Sequence, residues 1–106
     1  MSSQALSPIQ VVTSLVKRSE DKFLQMVQST NVGLNFSAEA LYAVQQFSGK
    51  NKDFALNIAQ SNPSSVIMAM INVAAVGLTL NPALALAYLV PRDGRIMLDI
   101  SYRGLV

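Results

Sequence analysis

The stretch that decides the fold covers residues 77–104 and reads GLTLNPALALAYLVPRDGRIMLDISYRG. Its second half alternates between apolar and mostly polar positions, which is the period-2 pattern of a half-buried strand. The dipeptide Asp93-Gly94 suits a two-residue type I′ turn, because both positions of that turn need positive φ angles. The pattern therefore predicts a β-hairpin with strands near residues 85–90 and 96–102, and an apolar face formed by Ala87, Leu89, Ile96, Leu98, Ile100 and Tyr102.

A turn at this dipeptide also fixes which residues lie opposite each other. Arg92 is then across from Arg95, and Tyr88 is across from Asp99, on the face that also carries Arg103. Two arginines directly opposite each other repel unless an anion lies nearby, so this face is a candidate site for a polyanion. A solvated polar face with arginines beside a turn explains the same pattern equally well.

Several short blocks of this stretch occur in an order and spacing that resemble the RecT family of phage single-strand annealing proteins, distant relatives of the Red-beta recombinases. They cover roughly a quarter of the chain. Residues 85–87, Ala-Leu-Ala, depart from the family pattern, since many relatives carry a more polar Gly-His-type pair there. The matching positions are Gly77, Leu78, Pro82, Ala83, Leu84, Tyr88, Leu89, Val90, Pro91, Tyr102, Arg103 and Gly104.

The resemblance implies an activity and a setting. Family members bind single-stranded DNA, anneal it to a complementary strand without ATP or another cofactor, and assemble into rings or helical filaments. They work beside a phage exonuclease in the cytoplasm of a bacterial host. Relatives continue well beyond the matching blocks, so the chain resembles the N-terminal portion of such a protein.

Annealing needs phosphate contacts rather than a catalytic group, because two strands pair more readily once their charges are neutralised. Arg103, Arg92 and Arg95 are the preferred candidates, since guanidinium groups bind phosphate in a bidentate way. Tyr88 is a candidate for stacking on bases, although a packing role within the sheet is equally open. Four further residues of the stretch are expected to shape the backbone rather than to bind DNA, namely Gly77, Pro82, Pro91 and Gly104.

Upstream, Ser7-Pro8 predicts the start of one amphipathic helix that runs to about Ser29, with serine as the cap and proline at the first helical position. Its outer side carries three weaker candidates for phosphate contact, Lys17, Arg18 and Lys22. A solvated charged face is the simpler explanation for these cations. A subunit contact is a further alternative.

Three more helices are predicted before the hairpin, which gives an α+β domain with about four helices. Ser37 is expected to cap the second helix, with Gly49 at its end. A short helix follows, and Asn62 or Ser61 then caps a nearly all-apolar helix that ends at Gly77. The second helix should bury Leu41, Val44 and Phe47, and the short one carries Phe54 and Ile58.

Composition sets limits on the function. The 106 residues suffice for one domain, and a net charge of +2 permits nucleic acid without requiring it. The chain has no cysteine and no histidine, which excludes disulfides, thiol catalysis and histidine-based metal sites. No secretory signal is recognisable at the N-terminus. The uncharged run before Arg92 raises a membrane span as an alternative, but Asn72 and Gly77 interrupt it, which favours a buried helix and strand.

Catalytic chemistry finds little support among the six carboxylates. A metal-dependent nuclease needs several acids that converge with a lysine, and Asp99 is followed by Ile-Ser-Tyr-Arg rather than by a second ligand. We therefore expect no enzyme active site and no metal. A different class of protein stays open: a helical module that assembles through its apolar surface and does not bind DNA, which the 51% hydrophobic content favours.

Overall fold

The computed structural model describes residues 7–31, 33–48 and 52–101 and confirms the α+β class. Within these ranges the chain forms five helices followed by a two-stranded antiparallel hairpin, whereas the sequence predicted about four helices. In chain order the elements are α1 (Pro8–Arg18), α2 (Glu20–Thr30), α3 (Phe36–Gln46), α4 (Lys52–Ser61), α5 (Pro63–Val76), β1 (Ala87–Arg92) and β2 (Arg95–Ile100).

The extra helix arises at Ser19, where the predicted long first helix is divided into α1 and α2. The Ser19 side chain is completely buried, and both its hydroxyl and its backbone amide donate to the Val16 carbonyl. A serine that bonds to the preceding turn in this way tightens and bends a helix. Because the chain bends here, Val12 in α1 and Phe23 in α2 reach the same core. The Ser7 cap is confirmed, and it forms a capping box with Gln10.

The second predicted helix begins two residues earlier than expected, and it buries a different face, which carries Phe36, Glu39 and Ala43. Asn35, not Ser37, is the cap, and its side-chain oxygen accepts from the Ala38 amide at 3.0 Å. Phe36 then packs edge-on against Phe23, with ring centroids 5.2 Å apart. The predicted burial of Leu41 is wrong, since Leu41 is 57% exposed. Phe47 is buried and Val44 half-buried, and the predicted end at Gly49 lies outside the described residues.

α5 is the central helix, as its composition predicted. It packs against α1, α2, α4 and β2, and Val66, Met70 and Val73 are fully buried. It ends at Gly77, whose φ of 80° is left-handed and whose amide bonds to the Val73 carbonyl. A Cβ in this conformation is strained, which explains the glycine. None of the helices in the part of the chain with described structure combines the length and apolarity needed to cross a bilayer.

The hairpin has the predicted register, with Ala87 opposite Ile100 and Arg92 opposite Arg95. Asp93 and Gly94 both have positive φ, 54° and 75°, as a type I′ turn requires. Pro91 lies opposite Ile96, one pair in from the pair that flanks the turn. In an antiparallel sheet, residue pairs that are hydrogen-bonded to each other alternate with pairs that are not, and Pro91 belongs to a pair that is not. Proline is tolerated here because its missing amide hydrogen removes no bond to the partner strand.

The strands are displaced from their predicted limits, because residues 85 and 86 belong to the turn that enters β1. The turn begins at Asn81, whose side chain accepts from the Ala83 amide and whose carbonyl accepts from the Leu84 amide. Ala85 then has a φ of 53°. Alanine rarely adopts this left-handed conformation, which costs about 1–2 kcal/mol.

Ala85→Gly is therefore expected to raise the free energy of unfolding by about 0.5–1 kcal/mol, because glycine adopts the left-handed conformation without strain. Ala83→Gly is the matched control, since Ala83 lies in the same turn with a negative φ. At residue 83 glycine relieves no strain and only increases the conformational freedom of the unfolded chain, so this substitution should lower the free energy of unfolding. Urea denaturation measures both changes, and equal destabilisation by the two substitutions would contradict the strain at residue 85.

Candidate nucleic-acid interface

The two faces of the hairpin differ sharply in burial. The inner face packs on the helices, and Ala87, Leu89 and Ile96 are each less than a tenth exposed. The opposite face looks outward and is here called the arginine face. Because side chains alternate along each strand, it consists of Tyr88, Val90, Arg92, Arg95, Met97 and Asp99.

Arg92 and Arg95 lie side by side at the turn end of the arginine face, and both residues are exposed. The nearest acid found for Arg92 is Asp99, whose Oδ2 is 3.9 Å from the arginine Nη2. Asp99 lies four residues beyond Arg95 on β2, so the Arg92 side chain extends along the face to reach it. The two side chains are 56% and 48% exposed, and an ion pair this open and this long contributes little. Both guanidinium groups can therefore bind an incoming anion.

The far end of the arginine face carries Tyr88. It is 36% exposed, which leaves part of its ring open to solvent, and it lies opposite Asp99. Between Tyr88 and the arginines lie Val90 and Met97, both half-buried. An aromatic ring beside an apolar strip is a surface on which bases can stack without sequence selection. The face thus combines cations at one end with a stacking surface at the other.

The turn end of the hairpin is attached to the N-terminus of α5. The Asn62 side-chain amide donates to the Gly94 carbonyl at 3.2 Å. The Ser65 hydroxyl accepts from the Ile96 amide at 2.9 Å and donates to the Asn62 carbonyl at 2.8 Å. Asn62, one of the two predicted caps, is the N-cap residue, but its side chain makes no capping bond to the backbone of α5. It holds the turn between the two arginines instead.

Strand β1 and the segment before it are attached to α3 through two polar side chains. Gln46 accepts from the Leu89 amide at 2.7 Å and donates to the Leu80 carbonyl at 3.2 Å. Glu39, only 3% exposed, accepts from the Leu80 amide at 2.7 Å and from the Thr79 hydroxyl. These contacts fix the segment that leads from α5 into β1.

The sequence did not indicate the supporting roles of Glu39, Gln46, Asn62 and Ser65. Glu39 lies in the first turn of α3, where a carboxylate already has a local explanation in the helix dipole. One signal was present, since Glu39 lies on the same helical face as the buried Phe36 and Ala43. An acid within an apolar stripe needs a buried partner, but its partner is 40 residues away in sequence and no local pattern identifies it.

The structure does not bring all the predicted cations onto this face. Lys17 and Arg18 are exposed in the last turn of α1, which packs against the other four helices, and Lys22 is exposed on α2. Cations in a last turn stabilise the carbonyl end of a helix, which accounts for the first two. Arg103 lies outside the described residues, as do Tyr102 and Gly104.

Arg18 also lies near the start of α5, the helix that holds the hairpin turn. It lines a surface depression together with Gln60 and Pro63. Pro63 follows Asn62, the residue that binds the carbonyl at the hairpin turn. Of the three helical cations, Arg18 therefore lies beside the start of α5, and none of the residues that line this depression belongs to the hairpin.

In the described ranges, no three carboxylate, histidine or cysteine side chains come together as a metal site would require. Comparison of the chain with protein families, with curated proteins and with solved structures finds no match. Fold and site together define a class: an α+β domain that exposes two adjacent arginines and a tyrosine on a hairpin held by its helices.

Proposed function

We propose that the chain is a RecT-like annealing domain that binds single-stranded DNA and pairs it with a complementary strand without ATP. The observation that carries the proposal is the arginine face, where Arg92 and Arg95 are adjacent, exposed and supported from behind by α5. Adjacent cations on a rigid strand pair favour a ligand with closely spaced negative charges, and a phosphodiester backbone has that property.

The mechanism assigns different tasks to the two ends of this face. Arg92 and Arg95 neutralise neighbouring phosphates, which lowers the repulsion between two approaching strands. Tyr88 and Met97 contact the flat faces of the bases, or the sugars of the same nucleotides, from one side. The edges through which the bases pair with a complementary strand stay free. Since the protein only positions and neutralises the strand, no catalytic residue, metal or cofactor takes part in the proposed reaction.

The proposed setting follows the same family resemblance. The protein would act as an oligomer in phage homologous recombination, in the cytoplasm of a bacterial host. Its partners would be single-stranded DNA, further copies of itself and a phage exonuclease that produces the single strands. Lys17, Arg18 and Lys22 would contribute secondary phosphate contacts in the assembly.

A second candidate function is a helical assembly module that does not bind DNA. It is favoured by large apolar side chains that the described fold leaves more than half exposed. Four such residues lie on different elements or turns, namely Leu41, Phe54, Met68 and Leu84. Apolar side chains of this size gain more from contact with another protein surface than from contact with phosphates.

Fluorescence anisotropy with a labelled single-stranded oligonucleotide at two salt concentrations separates the two functions. The annealing domain should bind, lose affinity as salt rises and bind unrelated sequences equally. It should also accelerate the pairing of two complementary oligonucleotides in the absence of ATP, measured by fluorescence quenching. Salt-independent binding, or no acceleration at a concentration that saturates the oligonucleotide, would reject the annealing function and favour the assembly module.

A further inference from the structure

The hairpin has two outer edges, and they differ in how their backbone groups are satisfied. In an antiparallel pair, every second residue turns its amide and carbonyl away from the partner strand. On β1 the outward residues include Leu89 and Pro91. The Leu89 amide donates to the Gln46 side chain at 2.7 Å, and Pro91 has no amide hydrogen. Neither position can therefore donate to an added strand.

On β2 the outward residues are Ile96, Leu98 and Ile100. The Ile96 amide donates to the Ser65 hydroxyl at 2.9 Å, so this edge is closed at its turn end. In the part of the chain that the structure describes, no hydrogen bond reaches the outward amide or carbonyl of Leu98. Unpaired edge groups of this kind form a template on which another strand can pair.

A groove of about 440 Å³ lies beside this edge, between β2 and α5, and we call it the α5–β2 groove. Four consecutive strand residues, 95–98, line it. Because side chains alternate between the two faces of a sheet, an unbroken run means that the strand's edge borders the groove. On the α5 side the exposed Met68 contributes apolar surface, and Ser64 and Asn72 contribute polar groups.

We infer that the α5–β2 groove binds an extended peptide, which adds a third strand to the sheet beside β2. A peptide residue opposite Leu98 in antiparallel orientation exchanges two hydrogen bonds with it, one from each amide. A phosphodiester backbone offers only acceptors and would leave the Leu98 carbonyl unpaired. An extended peptide supplies both donors and acceptors at the spacing of the edge, which favours this class of ligand.

The charges on β2 indicate which peptide fits. Arg95 and Asp99 lie on the arginine face near the two ends of the strand. An acid three residues after the peptide residue opposite Leu98 would lie beside Arg95, and a lysine one residue before it would lie beside Asp99. Arg92 pairs only weakly with Asp99, and Asp93 lies in the turn beyond the strand. The neighbouring α5 carries no charged residue.

The apolar side of the added strand would face α5. The peptide residue opposite Leu98 and the second residue after it point to the inner face, where they can cover Met68. Valine suits both positions because β-branched residues favour strands. The probe is therefore the peptide Lys-Val-Thr-Val-Glu with blocked ends. This inference concerns peptide binding and does not depend on DNA binding.

The test is fluorescence anisotropy of the labelled probe with the whole chain, which should show saturable binding. N-methylation of the first valine, opposite Leu98, should weaken binding by at least about tenfold, because it removes the amide that donates to the Leu98 carbonyl. N-methylation of the threonine is the matched control, since its amide points away from β2, and affinity should stay within about twofold. The charge-reversed peptide Glu-Val-Thr-Val-Lys should bind more weakly than the probe.

Hydrogen exchange measured by NMR tests the edge itself. In the chain without peptide, the Leu98 amide should exchange faster than the amides of Met97 and Asp99, which point toward β1. Saturation with the probe should slow exchange at Leu98 and leave the other two nearly unchanged. Met68→Glu should weaken probe binding, whereas Leu41→Glu, an equally exposed site on α3 outside the groove, should not.

Four results would overturn the inference. The first is no saturable binding of the probe, and the second is equal weakening by the two N-methyl groups. The third is a Leu98 amide already protected without peptide, and protection that grows with protein concentration would assign the edge to a second copy. The fourth is protection of Leu98 by a single-stranded oligonucleotide but not by the probe, which would assign the groove to DNA.

Discussion

Replacing Arg92 and Arg95 together by alanine should weaken single-stranded DNA binding by on the order of tenfold to a hundredfold at low salt. The physical reason is the loss of two charge-assisted phosphate contacts on one exposed face. Each contact to a single strand contributes about 0.7 to the slope of log K against log salt, so the slope should fall by about 1.4. Anisotropy titrations at four or more salt concentrations measure both quantities.

Two further variants make this result specific. Replacing both arginines by lysine keeps the charge and removes the bidentate geometry, so the salt slope should persist while affinity falls less. Asp99→Asn should act in the opposite direction, because it removes a negative charge from the same face and releases Arg92 from its weak pair. The arginines are exposed, so the unfolding midpoint of the double alanine variant should match the wild type. A loss confined to one DNA sequence, or an unchanged salt slope, would contradict phosphate binding by these residues.

Glu39→Ala should lower the free energy of unfolding by about 2–4 kcal/mol. The substitution removes both oxygens that accept from the Leu80 amide and the Thr79 hydroxyl. Leu80 is fully buried, so its amide would be left without a partner away from water. The same change removes the hydrogen bonds that hold residues 79 and 80, in the segment before β1, to α3. Urea denaturation measures the effect.

Three controls separate the buried bonds from the charge of Glu39. Glu39→Gln keeps one acceptor for the Leu80 amide and should cost less than the alanine substitution. Thr79→Val removes the other bond, and a double-mutant cycle with Glu39→Gln should show coupling between the two residues. Glu20→Ala removes an exposed acid from the first turn of α2 and should cost about 0.3–1 kcal/mol through the helix dipole alone. If Glu39→Ala costs no more than Glu20→Ala, the buried contact does not stabilise the fold.

The sequence by itself determined the hairpin, its register and its two faces. Asp93-Gly94 is a local signal, since positive φ at two successive positions admits few residue types, and the alternation after it assigns Ile96 and Arg95 to opposite faces. Helix starts with local chemistry were also predictable, as at Ser7 and Pro63. The identity of α5 as the central helix followed from its apolar composition.

Tertiary structure alone decided features that depend on distant partners. Ser19 divides a helix because burial makes its hydroxyl bond to the preceding turn, and Leu41 is exposed because α3 packs through the face that carries Phe36 and Ala43. The supports of the arginine face, Glu39 and Asn62, bind residues more than 30 positions away. Periodicity and capping rules describe interactions between residues that are close together in the sequence. These bonds arise instead from the packing of α3 and α5 against the hairpin, which brings the partners together only in the folded chain.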